Sequence, residues 1–124
     1  MLIKDLAKCD YFIAADNTNL CELLHPDREV LDLPYSMAFA KLGTGKSSIP
    51  HRLKTSSEVY FILEGVGEMH IDSEQAEVHP GQAILIPPGS WQHICNTGEV
   101  ELKFLCIVSP MWRAEDEEVM RRGN

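Results

Sequence analysis

The sequence predicts an all-β domain, a sandwich or a barrel. Short apolar runs rich in β-branched and aromatic residues recur along it, nearly every run stops at a Gly, Pro, Asn or Asp cluster, and the spacing between runs is roughly 8–12 residues. With 124 residues the chain is the size of one domain. That is enough to bury a core without help from a disulfide or a structural metal.

Taken in order, the N-terminal segment 1–33 is the least determined. Residues 18–26 (TNLCELLHP) suit a short helix capped by Thr18 or Asn19, yet Leu20, Glu22 and Leu24 also alternate as a strand does. Residues 35–42 (YSMAFAKL) read as a strand ending at GTGKSSIP. Residues 58–63 (EVYFIL) form the next, stopped at Gly65-Val66-Gly67, where glycine permits a positive φ. EMHI (68–71) follows, then the polar turn DSEQ (72–75), and AEV leads into the turn His79-Pro80-Gly81. QAILI (82–86) is stopped by Pro87-Pro88-Gly89, WQHICN (91–96) by NTGE, and VELKFLCIV (100–108) by Ser109-Pro110. The tail RAEDEEVMRR (113–122) reads as a helix, with acidic residues in its first turns and arginines in its last. The expected organisation is an N-terminal segment 1–33, an all-β domain over 34–110, and a helical tail over 111–124.

Eleven basic against nineteen acidic residues give a formal charge of −8. No basic stripe interleaves with aromatics, which argues against nucleic acid, and an acidic chain is a poor match for an anionic membrane. Charged residues interrupt the N-terminus, so it has neither a signal-peptide core nor an apolar span of about 20 residues. A cytoplasmic location is the expectation. The cysteines at 9, 21, 95 and 106 form no C-x-x-C pair and are expected as free, mostly buried thiols.

The chemistry-bearing residues lie in mid-chain. Gly45, His51, Glu58 and Gly65 have the spacing of G-x5-H-x-H-x4-E-x6-G, with Leu53 where a second histidine would stand. Gly81, Pro87, Gly89 and Asn96 have the spacing of G-x5-P-x-G-x2-H-x3-N, with Gln92 in place of the histidine. Over positions 45–96 the chain therefore resembles the two motifs of the cupin superfamily. The resemblance implies a double-stranded β-helix, a small jelly-roll barrel, whose motif side chains converge on one divalent metal ion. Carried over position by position, the metal set here is His51, Glu58 and Gln92. Leucine has no lone pair to offer and an amide oxygen is a weak neutral donor, so this set falls short of the usual three good ligands.

Strand parity nominates the neighbours. If Glu58 faces inward, so do Tyr60 and Ile62, and Tyr60 becomes a candidate catalytic residue beside Glu58, or a core tyrosine. Gln92 inward sends His93 outward unless a bulge at GSWQH exchanges them. Leu102, Phe104, Cys106 and Val108 face in, with Cys106 a soft ligand, a reactive thiol or a structural cysteine. His70, His79 and His25 read as surface or structural residues. The expected lining is mostly apolar (Leu53, Ile62, Ile84, Ile94, Phe104) with few basic groups, which favours a neutral or mildly polar small molecule over a phosphorylated one. By the resemblance, the function is that of a metal-dependent isomerase, oxygenase or decarboxylase using zinc, manganese, iron or nickel. The alternative is a cupin without bound metal that binds or senses a small ligand and has no catalysis. Val59, Phe61 and Leu63 face opposite to Glu58 and are too apolar for a solvated face. By the resemblance they support a homodimer, with segment 1–33 packing on the barrel or exchanging strands; cover by the N-terminal segment or the tail explains them equally well.

Overall fold

The structure, a computed structural model, describes residues 1–28 and 32–121. Among these the strands are, in chain order, β1 (Phe12–Ile13), β2 (Asn19–Leu24), β3 (Ser36–Leu42), β4 (His51–Leu53), β5 (Ser57–Glu64) and β6 (Gly67–Ile71). They continue with β7 (Glu74–Val78), β8 (Ala83–Ile86), β9 (Gln92–Asn96), β10 (Leu102–Ser109) and β11 (Glu117–Val119). All pairings are antiparallel. One sheet has the order β1-β2-β3-β10-β5-β8 and the other β11-β4-β9-β6-β7. This is the all-β double-stranded β-helix barrel that the sequence predicts.

The strand β10 occupies the middle of the larger sheet, paired with β3 on one side and β5 on the other. Its Leu102, Phe104, Cys106 and Val108 are all buried, while the residues between them are partly exposed. Tyr60 and Ile62 on β5, Ala38, Ala40 and Leu42 on β3, and Met69 and Ile94 from the facing sheet complete the same core. At the β5–β6 turn, Gly65 has φ +87°, and a Cβ there would lie 2.9 Å from the Glu101 carbonyl oxygen. Only glycine meets both conditions.

The segment that left helix and strand open is a strand. Leu20 pairs with Ala40 and Cys21 with Phe39, so β2 extends the larger sheet. The partner strand decides what so short a run cannot decide alone. That pairing also corrects the expectation of four free thiols. The chain reverses at residues 14–18 through Asn17 N–H to Ala14 O (2.9 Å) and Ala14 N–H to Thr18 O (2.9 Å). Cys9 and Cys21 then stand with Cα atoms 6.0 Å apart, within disulfide range, and are joined by one. Cys95 and Cys106 are free.

The tail is a second correction. Residues 114–116 make a single 3-10 turn, and β11 then pairs with β4, Glu117 opposite Leu53 and Val119 opposite His51. Arg122 and the end of the expected helix lie outside the described residues. The acidic run that suggests a helix N-terminus has another use. Asp116 accepts hydrogen bonds from Thr55 N (2.9 Å), Thr55 Oγ1 (2.7 Å) and Ser56 N (3.1 Å). Burial alone would raise its pKa, but the Thr55 and Ser56 donors outweigh it and hold the carboxyl below the usual aspartate range. A short helix is marginal by itself, whereas the open edge of β4 offers ready backbone partners. No helix among the described residues is long and apolar enough to cross a membrane.

Asp116→Ala leaves two backbone N–H groups and a hydroxyl without their acceptor. It is expected to cost about 2–4 kcal/mol in urea unfolding, with Asp116→Asn losing less because one acceptor oxygen remains. A change below about 0.5 kcal/mol in the alanine variant contradicts this account.

Candidate functional site

Two sheets bring the motif residues together. His51 on β4 is directly opposite Gln92 on β9, and both are buried, as is Glu58 on β5. Gln92 Nε2 donates to Glu58 Oε1 at 2.8 Å, a bond that crosses from one sheet to the other. Gln92 Oε1 is buried with no hydrogen-bond partner. His51 Nδ1 lies 2.8 Å from the carbonyl of Ile49. A carbonyl only accepts, so the bond puts a proton on Nδ1 and turns Nε2 toward Asp16, whose Oδ2 is 3.5 Å away. Asp16 Oδ1 is in turn fixed by Thr18 N (3.1 Å) and Thr18 Oγ1 (2.7 Å).

His51, Glu58, Asp16 and Thr18 border a cavity of about 190 Å3, which Gln92 does not line. Its carboxylate and imidazole walls are Asp16, Glu22, His51, Glu58 and Glu117, and no lysine or arginine lines it among the described residues. Phe12, Phe104 and Trp112 give it an apolar side, and the Trp112 indole donates to Glu117 Oε2 at 3.3 Å. Burial pushes the Glu58 carboxyl up to about 7, against the opposing pull of the nearby His51 and the Gln92 amide. Burial likewise raises Glu117, with His51 and Trp112 opposing, and raises Glu22. Tyr60 lines the cavity with its ring 4.6 Å from that of Phe104. Burial, and then Glu58, hold its hydroxyl well above the usual tyrosine range. Cys106 is pushed well above the usual thiol range, first by burial and then by Glu58, so it is no ready nucleophile.

The expected apolar lining needs correcting. Phe104 borders the cavity, but Leu53, Ile62 and Ile94 are buried away from it and Ile84 packs against the core. Asp16, Glu22 and Glu117 were not foreseen. They come from segments outside both motifs, and only the Asp16-Asn17-Thr18 turn chemistry distinguished one of them in the sequence. Gln92 lies inside and His93 outside, where its ring stacks on His70 at 4.2 Å. Burial and His70 together hold His93 below the usual histidine range. His25 is buried and structural, its Nε2 2.7 Å from the Trp112 carbonyl.

As a metal shell the barrel residues are poorly matched. Leu53 offers nothing, the Gln92 amide is engaged with Glu58, and no three of Asp16, His51, Glu58 and Glu117 bring donor atoms within 4.8 Å of one another. Among the described residues, three His, Cys, Asp or Glu donor atoms within 4.8 Å of one another occur at His70, His93 and Cys95, on the outer face of the smaller sheet.

With the two-sheet barrel and its motif residues in place, comparison with known families is direct: the Cupin domain family matches residues 38–108. The chain belongs to the cupin family. An uncharacterized protein of Methanocaldococcus jannaschii is 37% identical over 125 residues, covering 97% of this cupin and 99% of that protein. An oxalate-binding protein of Thermotoga maritima is 31% identical over 68 residues, 55% of this chain and 56% of that one. Among solved structures, a predicted oxalate decarboxylase from T. maritima superposes with a TM-score of 0.79 at 21% identity, over 88% of this chain and 99% of the other. A Streptomyces nucleoside dehydratase, solved with uridine, gives 0.76 at 16% identity, over 98% and 92%. At these identities the structures share the cupin fold.

The raised Glu58 pKa sets a pH dependence. Between about pH 4.5 and 7 the folded cupin keeps a proton that the unfolded chain has released, so stability is present at low pH and falls as pH rises through this window. The total is about 3 kcal/mol for a shift of that size. Urea midpoints of the metal-free protein are expected to drop between about pH 4.5 and 7, and Glu58→Gln should flatten the slope. An unchanged slope in that variant assigns the proton elsewhere.

Proposed function

We propose that the barrel binds a small neutral or cationic molecule and acts on it by proton transfer, with His51 and Glu58 as the acid–base groups. The observation that supports this most is the charge of the cavity: four carboxylates and one imidazole, with no lysine or arginine lining it among the described residues. A dianion such as oxalate would meet uncompensated like charge there. The cavity is also smaller than the roughly 300–1,000 Å3 typical of drug-sized ligands. A polar head would sit among Asp16, His51 and Glu58, and an apolar body against Phe104 and Trp112.

Glu58, with a pKa of about 7, can give or take a proton near neutral pH. The Nδ1 bond to Ile49 holds the His51 ring so that Nε2 serves the cavity, and Asp16 supports charge on that ring. Tyr60 is assigned a positioning role against the ligand, since its hydroxyl does not ionise readily. Isomerisation or elimination needs only these groups. Oxygenation would need a redox metal, for which His51, Glu58 and Gln92 are a poor set.

The test is binding of three probes to chelator-treated protein, followed by calorimetry and by the His51 imidazole NMR signals. Uridine, or a small primary amine, is expected to bind one per chain and shift the His51 signals, with affinity lost in Asp16→Asn and His51→Ala. Stoichiometric binding of oxalate with no response to uridine or amine contradicts the proposal.

We also propose that the cupin is a homodimer through the outer face of the larger sheet. Leu85 is 65% exposed there, beside Val59, Phe61 and Leu63. Light scattering is expected to give twice the chain mass, and Leu85→Asp a monomer. A monomeric wild type rejects this arrangement.

A further inference from the structure

The outer face of the smaller sheet carries a second set of chemically capable side chains. In the β6–β9 ladder, His70 lies directly opposite His93, and Glu68 directly opposite Cys95. Parity puts all four on one face, because Met69 and Ile94, which alternate with them, are core residues. The two rings stack with centroids 4.2 Å apart and planes 10° from parallel. Donor atoms of His70, His93 and Cys95 lie within 4.8 Å of one another and each residue is half-buried; because parallel rings cannot both aim a lone pair at one ion, one ring has to turn out of the stack for an ion to bind. Glu68 Oε1 is 2.7 Å from His70 Nε2. Ser47 Oγ donates to Cys95 Sγ at 2.8 Å.

We propose that this face binds one borderline transition-metal ion, of which zinc is the type, through His70, His93 and Cys95. The donor chemistry points to that class: two imidazoles and a thiolate favour zinc or cobalt over magnesium or calcium, which take oxygen ligands. Glu68 accepts from His70 Nε2–H, which leaves the Nδ1 lone pair for the ion, and this pairing of carboxylate, histidine and metal is the usual way a ligating ring is oriented. Three protein ligands leave one tetrahedral position for water. On binding, the Cys95 thiol releases its proton to solvent and the sulfur lone pair forms the metal bond, with no change of oxidation state. The site is separate from the cavity, since these side chains leave β6 and β9 on the face opposite to Gln92.

Tag-free protein, reduced and stripped with chelator, is titrated with Co2+ as the probe. A sulfur-to-cobalt charge-transfer band that saturates at one equivalent is expected. Cys95→Ser should abolish it, and His93→Ala or His70→Ala should weaken Co2+ binding at least tenfold. Glu68→Gln, which keeps the side-chain shape, should weaken it roughly 10–100-fold, and His51→Ala, inside the barrel, should leave it unchanged. The four outer-face positions sit outside the apolar core, and the near-isosteric Glu68→Gln keeps the test valid if an alanine variant misfolds. Absence of the charge-transfer band, its persistence in Cys95→Ser, or its loss in His51→Ala overturns the proposal. An ordinary stacked histidine pair would give the first of these results.

Discussion

Adjacent side chains on a strand leave it on opposite faces, and the strands of this barrel that carry chemistry depend on that alternation being held in register. β5 sends Glu58, Tyr60 and Ile62 inward and Val59, Phe61 and Leu63 outward. β9 buries Gln92, Ile94 and Asn96 and turns His93 and Cys95 away. A slip of one residue would exchange every set. Asn96 helps prevent it, donating through Nδ2 to the carbonyls of Leu42 and Val100, both at 2.9 Å, and accepting from Gly98 N at 3.0 Å. The last residue of the second motif is therefore a clamp that keeps the rest of β9 in phase. Both the inner cavity and the outer His/Cys face exist because that phase is kept.

Inside, the dominant cost is a carboxyl group taken out of water. Glu58 answers it partly by holding its proton and partly through Gln92. An amide suits a neighbour that changes protonation state. Its N–H2 donates to the carboxylate, and turned over, its oxygen accepts from the carboxylic acid. Gln92 Oε1, buried and unpartnered in the present arrangement, is the half of the amide that the ionised form does not use. The replacement of histidine at this position thus gives Glu58 a neutral partner in place of a metal ligand.

The parts of the fold that the sequence showed are those with local causes. The turn residues and alternating runs of 35–108 place β3 and β5 through β10 within a residue or two of where they form. Strand parity alone puts Gln92 and His93 on opposite faces, as they stand. The illegible parts had distant causes. β2 is a strand because β3 is beside it, and β11 is a strand because the edge of β4 is open. Asp116 looked like a helix-start residue, yet its hydrogen-bond donors are about sixty residues away at Thr55 and Ser56. The cavity walls Asp16, Glu22 and Glu117 belong to these same terminal segments, so half of the candidate site was invisible wherever motif spacing was the only guide.

The Cys9–Cys21 disulfide brackets the stretch that holds Phe12, Ile13 and Asp16, all of which border the cavity. Phe12 and Ile13 are themselves exposed, so this stretch is held by its pairing with β2 and by the Ile49 N–H to Asp16 O bond (2.8 Å) rather than by apolar packing. A closed loop of this size removes roughly 3 kcal/mol of chain entropy from the unfolded state on the loop-entropy account. The covalent bond thus adds to those contacts in holding one wall of the barrel's pocket. The shape presented to a ligand becomes a property of the thiol–disulfide balance around the protein as well as of its fold.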